Sequence, residues 1–365
     1  SDLASQEPEP TFAPVEVQVV YEDPDFSEVN LGGWQGLAAT KARFVPLSDA
    51  RDEMKLNAAV NAAAGGDYTG VVLELKDESG VLAWASQSET AVGYGTAGAM
   101  DYTETVEAIH EKGLTAAAQI SCLADELIAT RNPTVTLKTE SGSYKDSNGV
   151  YWLDPYNRFV RNYIADLMAE LSAMGFDEII LADLYHPVRS GYGNSGGGDD
   201  WYDDESWEED WTEEGETAEE APTPTPAGID TGFLYSVTIQ TAPNPVNAIC
   251  QMALRLAESM EGTETAVSAV IDQNSLLSGN SVMTGQDLDI FWRIFARLYC
   301  PCSIYDAATD MEYAGETLRE GDAGVRFVPM CDYDIPEGFQ SYVLYLPASA
   351  ETYYDDYGDY EDYSW

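Results

Sequence analysis

Gly70-Val71-Val72-Leu73-Glu74-Leu75, continuing as Lys76-Asp77-Glu78-Ser79-Gly80, carries the reading of the whole chain. Its first six residues make a mostly apolar run bounded by glycine and charge. That is the pattern of a strand buried on both faces in a parallel sheet. Runs of the same kind recur on either side, at Ala42–Leu47, Leu114–Ile120, Asp177–Leu184, Ala266–Ile271, Cys300–Tyr305, Gly324–Cys331 and Ser341–Leu346. Between them lie stretches with helical spacing, at Asp49–Ala64, Tyr102–Lys112, Asn157–Met174, Asn247–Met260, Gly285–Leu298 and Met311–Glu320. Three of these stop at Gly65, Gly113 and Gly175, the residue that most easily ends a helix. Eight strands joined by crossovers of helical length predict an α/β chain folded as a (β/α)8 barrel of the TIM type. An open doubly wound sheet is the alternative. It is the weaker one, because no Gly-x-Gly-x-x-Gly follows any early strand.

The 365 residues are 44% hydrophobic, enough for one large core, and combine 17 basic with 65 acidic side chains for a net charge of −48. That sign excludes nucleic acid held through its phosphates and opposes an anionic membrane surface. No apolar run approaches the length of a membrane span, so no insertion is expected. The acids are unevenly spread: residues 1–30 hold eight, 199–220 thirteen and 351–365 six, all three without a single base. The expected organisation is an extended N-terminal stalk over 1–30, one barrel over 31–350, and an acidic Tyr-rich tail over 351–365. The barrel is interrupted by a long acidic insertion after strand 4, at about 188–230. Trp201, Trp207, Trp211 and the tail tyrosines give these segments aromatic anchors. Acidic aromatic stretches fold onto basic partners or onto a second copy, so 199–220 and 351–365 are candidates for self-association or for a basic protein partner. The chain opens at Ser1 with neither an initiator Met nor a signal-peptide core, which predicts a processed form or an excised piece, and the Pro-rich stalk suits an extracellular or cell-surface setting. Five cysteines (122, 250, 300, 302, 331) lack metal-ligand spacing and sit mostly in apolar runs, as buried small hydrophobes do. Only six of the basic residues are Lys, which fits a salt-adapted surface, although charge gathered in tails fits that less well.

Several segments together resemble the bacterial family known as "putative glycosyl hydrolase" barrels, surface proteins related to the amylase-type barrels. Val71 to Gly80 is similar to that family's second-strand motif, Val-Val-x-Asp-Val-Lys-Asp-x-x-Gly. Asn132-Pro133 and Trp152-Leu153-Asp154-Pro155-Tyr156-Asn157 resemble its Asn-Pro and Trp-Val-Asp-Pro-Tyr-Asn signatures. Gly175-Phe176-Asp177-Glu178-Ile179 resembles the opening of its fourth strand. Order and spacing agree from about Ala42 to Ser349 once the insertion is set aside. The resemblance implies a carbohydrate-directed barrel that engages a polysaccharide and needs no cofactor. The departures are equally specific. Where the family carries Gln, Asp and Arg at its fourth strand, this chain has Ile180, Ala182 and Tyr185; the third-strand Arg falls on Gln119 and the fifth-strand Asp on Val270. Strand side chains alternate, so Ile180, Ala182 and Leu184 share one face and Asp183 points away, unless a slip or bulge returns it to the barrel mouth. Read this way, the active site is eroded.

Glycoside hydrolysis uses two carboxylates flanking the bond, and in a barrel they sit at the C-terminal strand ends. Asp183 and Asp272 are the candidate catalytic pair, with Glu74 supporting them by charge or orientation. Lys76, Asp77, Gln119, Asp125, Tyr185 and His186 are candidate substrate-binding residues. Each acid has a structural alternative as a helix cap or a solvated loop residue. Lys76 has two open readings, a partner that holds a catalytic carboxylate ionised or an ordinary ion pair. Asp154 is expected to cap the helix that Pro155 begins, and His110 to do nothing. No metal site is expected, because no second histidine or cysteine pair accompanies His186 and no Asp-x-Asp-x-Asp-Gly loop occurs. Two functions follow. One is an extracellular glycoside-hydrolase-like barrel that binds, and in its active form cleaves, a polysaccharide. The other is a catalytically silent barrel acting as a surface scaffold, in adhesion or in self-assembly, through its acidic aromatic segments.

Overall fold

The structure is a computed structural model, and it describes residues 26, 37–188, 232–237, 244–272, 275, 282–301, 323–332 and 339–345. The expected stalk (apart from Phe26), most of the insertion, the helix at Met311–Glu320, Cys302 and the tail lie outside the described residues.

Eight parallel strands close the barrel: β1 (Lys41–Val45), β2 (Gly70–Lys76), β3 (Thr115–Ser121), β4 (Glu178–Ala182), β5 (Ala266–Val270), β6 (Leu298–Pro301), β7 (Phe327–Cys331) and β8 (Tyr342–Leu344). They pair in chain order, and β8 returns to β1 with Ala42 opposite Val343. Alternation divides each strand cleanly. Val71, Leu73, Leu75, Ala116, Ala118, Ile120, Ile179 and Leu181 face outward and pack in the shell of helices, while Phe44, Val72, Ala117, Ile180, Tyr299, Val328, Met330 and Val343 fill the barrel itself. This is why the strands read as continuous apolar runs: both faces are buried.

Beneath that inner layer, at the N-terminal end, Arg297 pairs with Glu178 at 2.7 Å, both nearly buried. Ser268 and Tyr299 donate to the other Glu178 oxygen, and Arg297 reaches the Ala38 carbonyl. This polar cluster borders a cavity of about 310 Å³ at the N-terminal end and leaves Arg297 Nε buried with no hydrogen bond among the described residues. At the top, β2, β3, β4 and β5 finish around another cavity.

Helix boundaries follow local chemistry. The stretch at Asp49–Ala64 divides into Leu47–Ala50 and Glu53–Gly65, because the Asp52 carboxylate caps the Met54 and Lys55 amides. Helix Thr103–Glu111 ends as expected, with Gly113 at φ 77° just beyond it. Two expectations are corrected. The segment Gly285–Leu298 is helical only over Leu288–Ile294, since Asp287 caps its start, Phe295 is extended and Leu298 already belongs to β6. Asp154 caps no helix; Asn157 does, accepting from the Phe159 amide ahead of helix Arg158–Ala173. The loop excursions at Glu89–Tyr94 and Glu126–Arg131 are additional short helices, and Lys138–Thr139 with Gly142–Ser143 forms a small antiparallel pair. Leu234, beyond the insertion, bridges to Lys138. His110 is not idle: its Nε2 lies 2.9 Å from Asp177 Oδ2, tying a helix to the start of β4. The four described cysteines are buried free thiols.

Candidate active site

A cavity of about 470 Å³ opens at the top of the barrel. Glu74, Lys76, Asp77, Glu78, Gln119, Ser121, Ala182, Asp183, Tyr185, Val270, Asp272 and Tyr345 are among the residues that line it.

β2 supplies the first of these. Its pairing with β3 shifts register between Glu74 and Lys76, a bulge that bends the strand end where the motif turns. Glu74 faces inward, half-buried, and one of its oxygens accepts the Leu47 amide at 2.9 Å. Burial pushes its carboxyl up to about 7, with Asp77, Glu78 and Asp183 adding repulsion and the Leu47 hydrogen bond opposing. Lys76 is fully buried. Its Nζ donates to the Ser121 carbonyl at 2.7 Å and sits 3.1 Å from Asp125 Oδ2. The Lys-Asp-x-x-Gly pattern thus has a structural cause. Asp77 accepts from the Ser79 amide and hydroxyl and closes a turn through Gly80. Gly80 has φ 79°, and a Cβ there would stand 2.2 Å from Asp125 Oδ1. A side chain would break both the turn and the Lys76–Asp125 pair.

β4 holds the decisive departure from alternation. Asp183 follows Ala182 with φ 51°, the only positive-φ residue besides glycine among the described residues. Asp and Asn tolerate this left-handed region better than most side chains. The Cys122 and Leu123 amides hold the local backbone by donating to the Ala182 and Asp183 carbonyls. The twist rotates Asp183 out of the strand pattern and onto the cavity wall, whereas simple alternation points it away. Burial pushes its carboxyl up, while the Ser121 hydroxyl and the Lys76 ammonium pull it down. Leu184, expected on the same face as Ile180, instead joins the outer core.

Asp272 stands beyond β5 on the cavity wall, and its Oδ2 accepts the Ser275 amide. Gln286, fully buried, ties the two carboxylate-bearing ends together. Its Nε2 donates to the carbonyls of Leu184 and Val270, both at 3.1 Å, and its Oε1 accepts the Asp272 amide at 2.8 Å. Sequence reading did not single out Gln286, because an isolated glutamine in a loop carries no spacing signal. Nor did it single out Glu78 and Tyr345, which also line the cavity; their strand-end positions were the available clue.

The expected residues are therefore largely brought together: Asp183, Asp272, Glu74, Lys76, Asp77, Gln119 and Tyr185 share one cavity. Two are not. Asp125 is fully buried, caps helix Glu126–Arg131 through the Ile128 amide and pairs with Lys76, so it has no path to a substrate. His186 is fully buried as well. Its ring contacts the Pro187 carbonyl and the Tyr235 hydroxyl and packs edge-on against Phe233, and burial pushes its pKa down to about 4. His186 thus anchors the chain returning from the insertion, as Asp154 does by accepting the Ser236 amide and hydroxyl. Tyr185 packs against Trp152 with ring centroids 4.8 Å apart and ring planes tilted by 59°, and it lines the cavity. Among the described residues, no group of three or more His, Cys, Asp or Glu side chains is placed to hold a metal ion, and no helix is long and apolar enough to cross a membrane.

Comparison with known proteins agrees with this architecture. Residues 42–190 match the family model described as "Putative glycosyl hydrolase domain". Among solved structures, the PgaB (BpsB) glycoside hydrolase domain from Bordetella bronchiseptica is similar over 87% of this chain and 96% of that one, with 10% identity and a TM-score of 0.57. A hypothetical protein from Ruminiclostridium thermocellum is similar over 40% of this chain and 77% of that one, with 21% identity and a TM-score of 0.38. An α-galactosidase from Thermus thermophilus is similar over 86% and 59% of the two chains, with 12% identity and a TM-score of 0.47. No curated protein matches the sequence. At such identities the Bordetella likeness speaks for the fold. Residues 42–190, the part similar to that family model, lie within a closed eight-stranded parallel barrel.

Proposed function

We propose that this protein is an extracellular or cell-surface glycoside hydrolase that binds a polysaccharide across the top of its barrel and cleaves it with Asp183 and Asp272. The observation that carries the reading is the left-handed Asp183. A residue held at φ 51° at a strand end, with its carboxyl delivered to the cavity, is unfavourable for the fold and useful for chemistry. Its raised pKa suits a group that must donate a proton to a leaving glycosidic oxygen. Asp272, on the neighbouring wall with its carboxylate oriented by the Ser275 amide, serves as base or nucleophile. Glu74 supports the pair from β2, and Tyr185, braced by Trp152, offers a ring to a sugar face.

A second reading, a silent barrel that binds glycan without turnover, is favoured by apolar Ile180 and Val270 at inward positions where the resembled family carries polar groups. Release of reducing sugar from a panel of cell-wall and dietary polysaccharides separates the two. Asp183→Asn and Asp272→Asn should each lower the rate by at least about a hundredfold, the usual scale for losing a general acid or base. Turnover that survives both substitutions rejects the assignment. Retention of glycan in an affinity gel with no turnover moves the protein to the binding class.

A further inference from the structure

The sheet stops before the cavity carboxylates begin. β4 and β5 pair as far as Leu181 opposite Ala269, two residues short of Asp183 and three short of Asp272. Above that rung the side chain of Gln286 joins the two chain ends. Fully buried, it spends both N–H donors of Nε2 on the carbonyls of Leu184 and Val270, at 3.1 Å each, while Oε1 accepts the Asp272 amide at 2.8 Å. One of these bonds holds the residue after Asp183, and another holds Asp272 itself. The amide thus serves as one more rung of the ladder, set where the strands have run out.

The bridge is itself braced. The Thr284 carbonyl accepts the His186 amide at 2.7 Å, and Thr284 Oγ1 lies 2.6 Å from Ser275 Oγ; the Ser275 amide in turn donates to Asp272 Oδ2. Gly285, at φ 75°, passes so close to helix Pro245–Glu258 that a Cβ there would stand 2.3 Å from the Pro245 carbonyl oxygen. Residues 284–286 are therefore pinned to a helix on one side and to both strand ends on the other.

Resting on the hydrolase reading above, we propose that Gln286 is a positioning residue, which fixes the separation of the Asp183 and Asp272 carboxyls and thereby the geometry of cleavage. The reaction is sensitive to that distance: carboxyls about 5–5.5 Å apart leave no room for the water that a pair about 6.5–9.5 Å apart admits. A displacement of about 1 Å costs on the order of a hundredfold in rate.

The test is Gln286→Met in the full chain, which keeps the length of the side chain and removes all three hydrogen bonds. Two readouts are needed, crystal structures of parent and variant, and sugar-release kinetics on both. The gap between the two carboxyl carbons should change by about 1 Å, and kcat should fall ten- to a hundredfold while KM stays within about threefold. Leu167→Ala, a core deletion in helix Arg158–Ala173 outside the cavity lining, controls for lost stability and should leave kcat as it is. If Gln286→Met does not fold, Gln286→Glu takes its place. It keeps an acceptor for the Asp272 amide but has at most one proton for two carbonyls, so the same readouts apply with smaller effects. An unchanged gap overturns the proposal whatever the rates do. A changed gap with kcat intact, or an equal loss of kcat in Leu167→Ala, overturns it too. If the parent turns over no glycan, the hydrolase reading fails, and the gap alone decides whether Gln286 sets the spacing.

Discussion

Glu74→Gln isolates the energetic cost of assembling this cavity. The carboxyl has an ordinary value of 4.5 and is pushed to about 7, chiefly by burial and secondarily by the neighbouring acids. A carboxyl that protonates more readily when folded makes the native state bind more protons than the unfolded chain. Its contribution is therefore complete below about 4.5 and is lost as pH rises through about 7. At 1.36 kcal/mol per pH unit, that interval is worth about 3 kcal/mol. Glutamine cannot titrate, yet it keeps an oxygen for the Leu47 amide. Urea denaturation, chosen over guanidinium because it leaves ionic strength alone, should be run on both proteins between about pH 4.5 and about pH 8. The difference between them should be small at the acid end and grow to about 3 kcal/mol in favour of the variant at the alkaline end. Taking the difference removes the titration of the many other acids, which both proteins share. A difference that stays flat across the range refutes the burial argument, and with it the view that Glu74 sits in the cavity at a cost to the fold.

His186→Gln should show the opposite slope. Its imidazole is pushed from 6.5 down to about 4, so the parent gains stability as pH rises through that window, again by about 3 kcal/mol, and the variant does not; the same urea series reads it. Asp183→Gly removes a side chain from a left-handed residue and should raise stability by about 1 kcal/mol while abolishing any turnover, measured by thermal melting beside the sugar-release assay. Lys76→Met leaves Asp125 charged and buried without its partner and should cost roughly 3–5 kcal/mol, a loss visible as a lower urea midpoint; an unchanged midpoint would show the pair to be solvated. Gln286→Leu strands two carbonyls and one amide at the ends of β4 and β5. It should cost about 3 kcal/mol in the same denaturation assay.

The barrel was legible because both faces of every strand are buried, which writes each strand as an apolar run such as Gly70–Leu75 without help from tertiary detail. Boundaries were harder where a strand follows a helix directly. Phe295–Leu298 is apolar at helical spacing, and only the neighbouring strands β5 and β7 decide that Leu298 pairs in the sheet. The site divides along similar lines. Glu74, Asp77 and Asp272 could be placed because strand ends in a parallel barrel face one mouth. Asp125 and His186 occupy the same kind of position, yet a helix cap in one case and the aromatic packing of Phe233 and Tyr235 in the other draw them inside. The His186 contact to Tyr235 spans 49 positions, which sequence spacing could not announce, whereas the Asp125 cap spans three and left a local signal. Gln286 is the extreme case, holding both catalytic candidates through backbone groups up to 102 positions away.

The apolar Ile180 and Val270 bear differently on catalysis once the geometry is considered. Alternation makes an inward strand position the natural place for a catalytic carboxylate, and by that standard β4 and β5 are empty. Ile180, however, is fully buried within the inner layer of the barrel, packed with Val72, Ala117 and Tyr299, so it serves as floor and not as wall. The carboxylates on the wall come one step later, from Asp183 by a left-handed twist and from Asp272 beyond the strand end. Losing an inward polar residue removes nothing if the chemistry has moved up to the strand-end loops. The twist at Asp183 is itself the argument against simple decay. In a barrel without function, a strained aspartate facing other acids would be free to become glycine or asparagine, and either change would relieve strain or charge. Holding it instead takes the backbone bonds from Cys122 and Leu123 and the Gln286 bridge alongside, a specific construction around one carboxyl group.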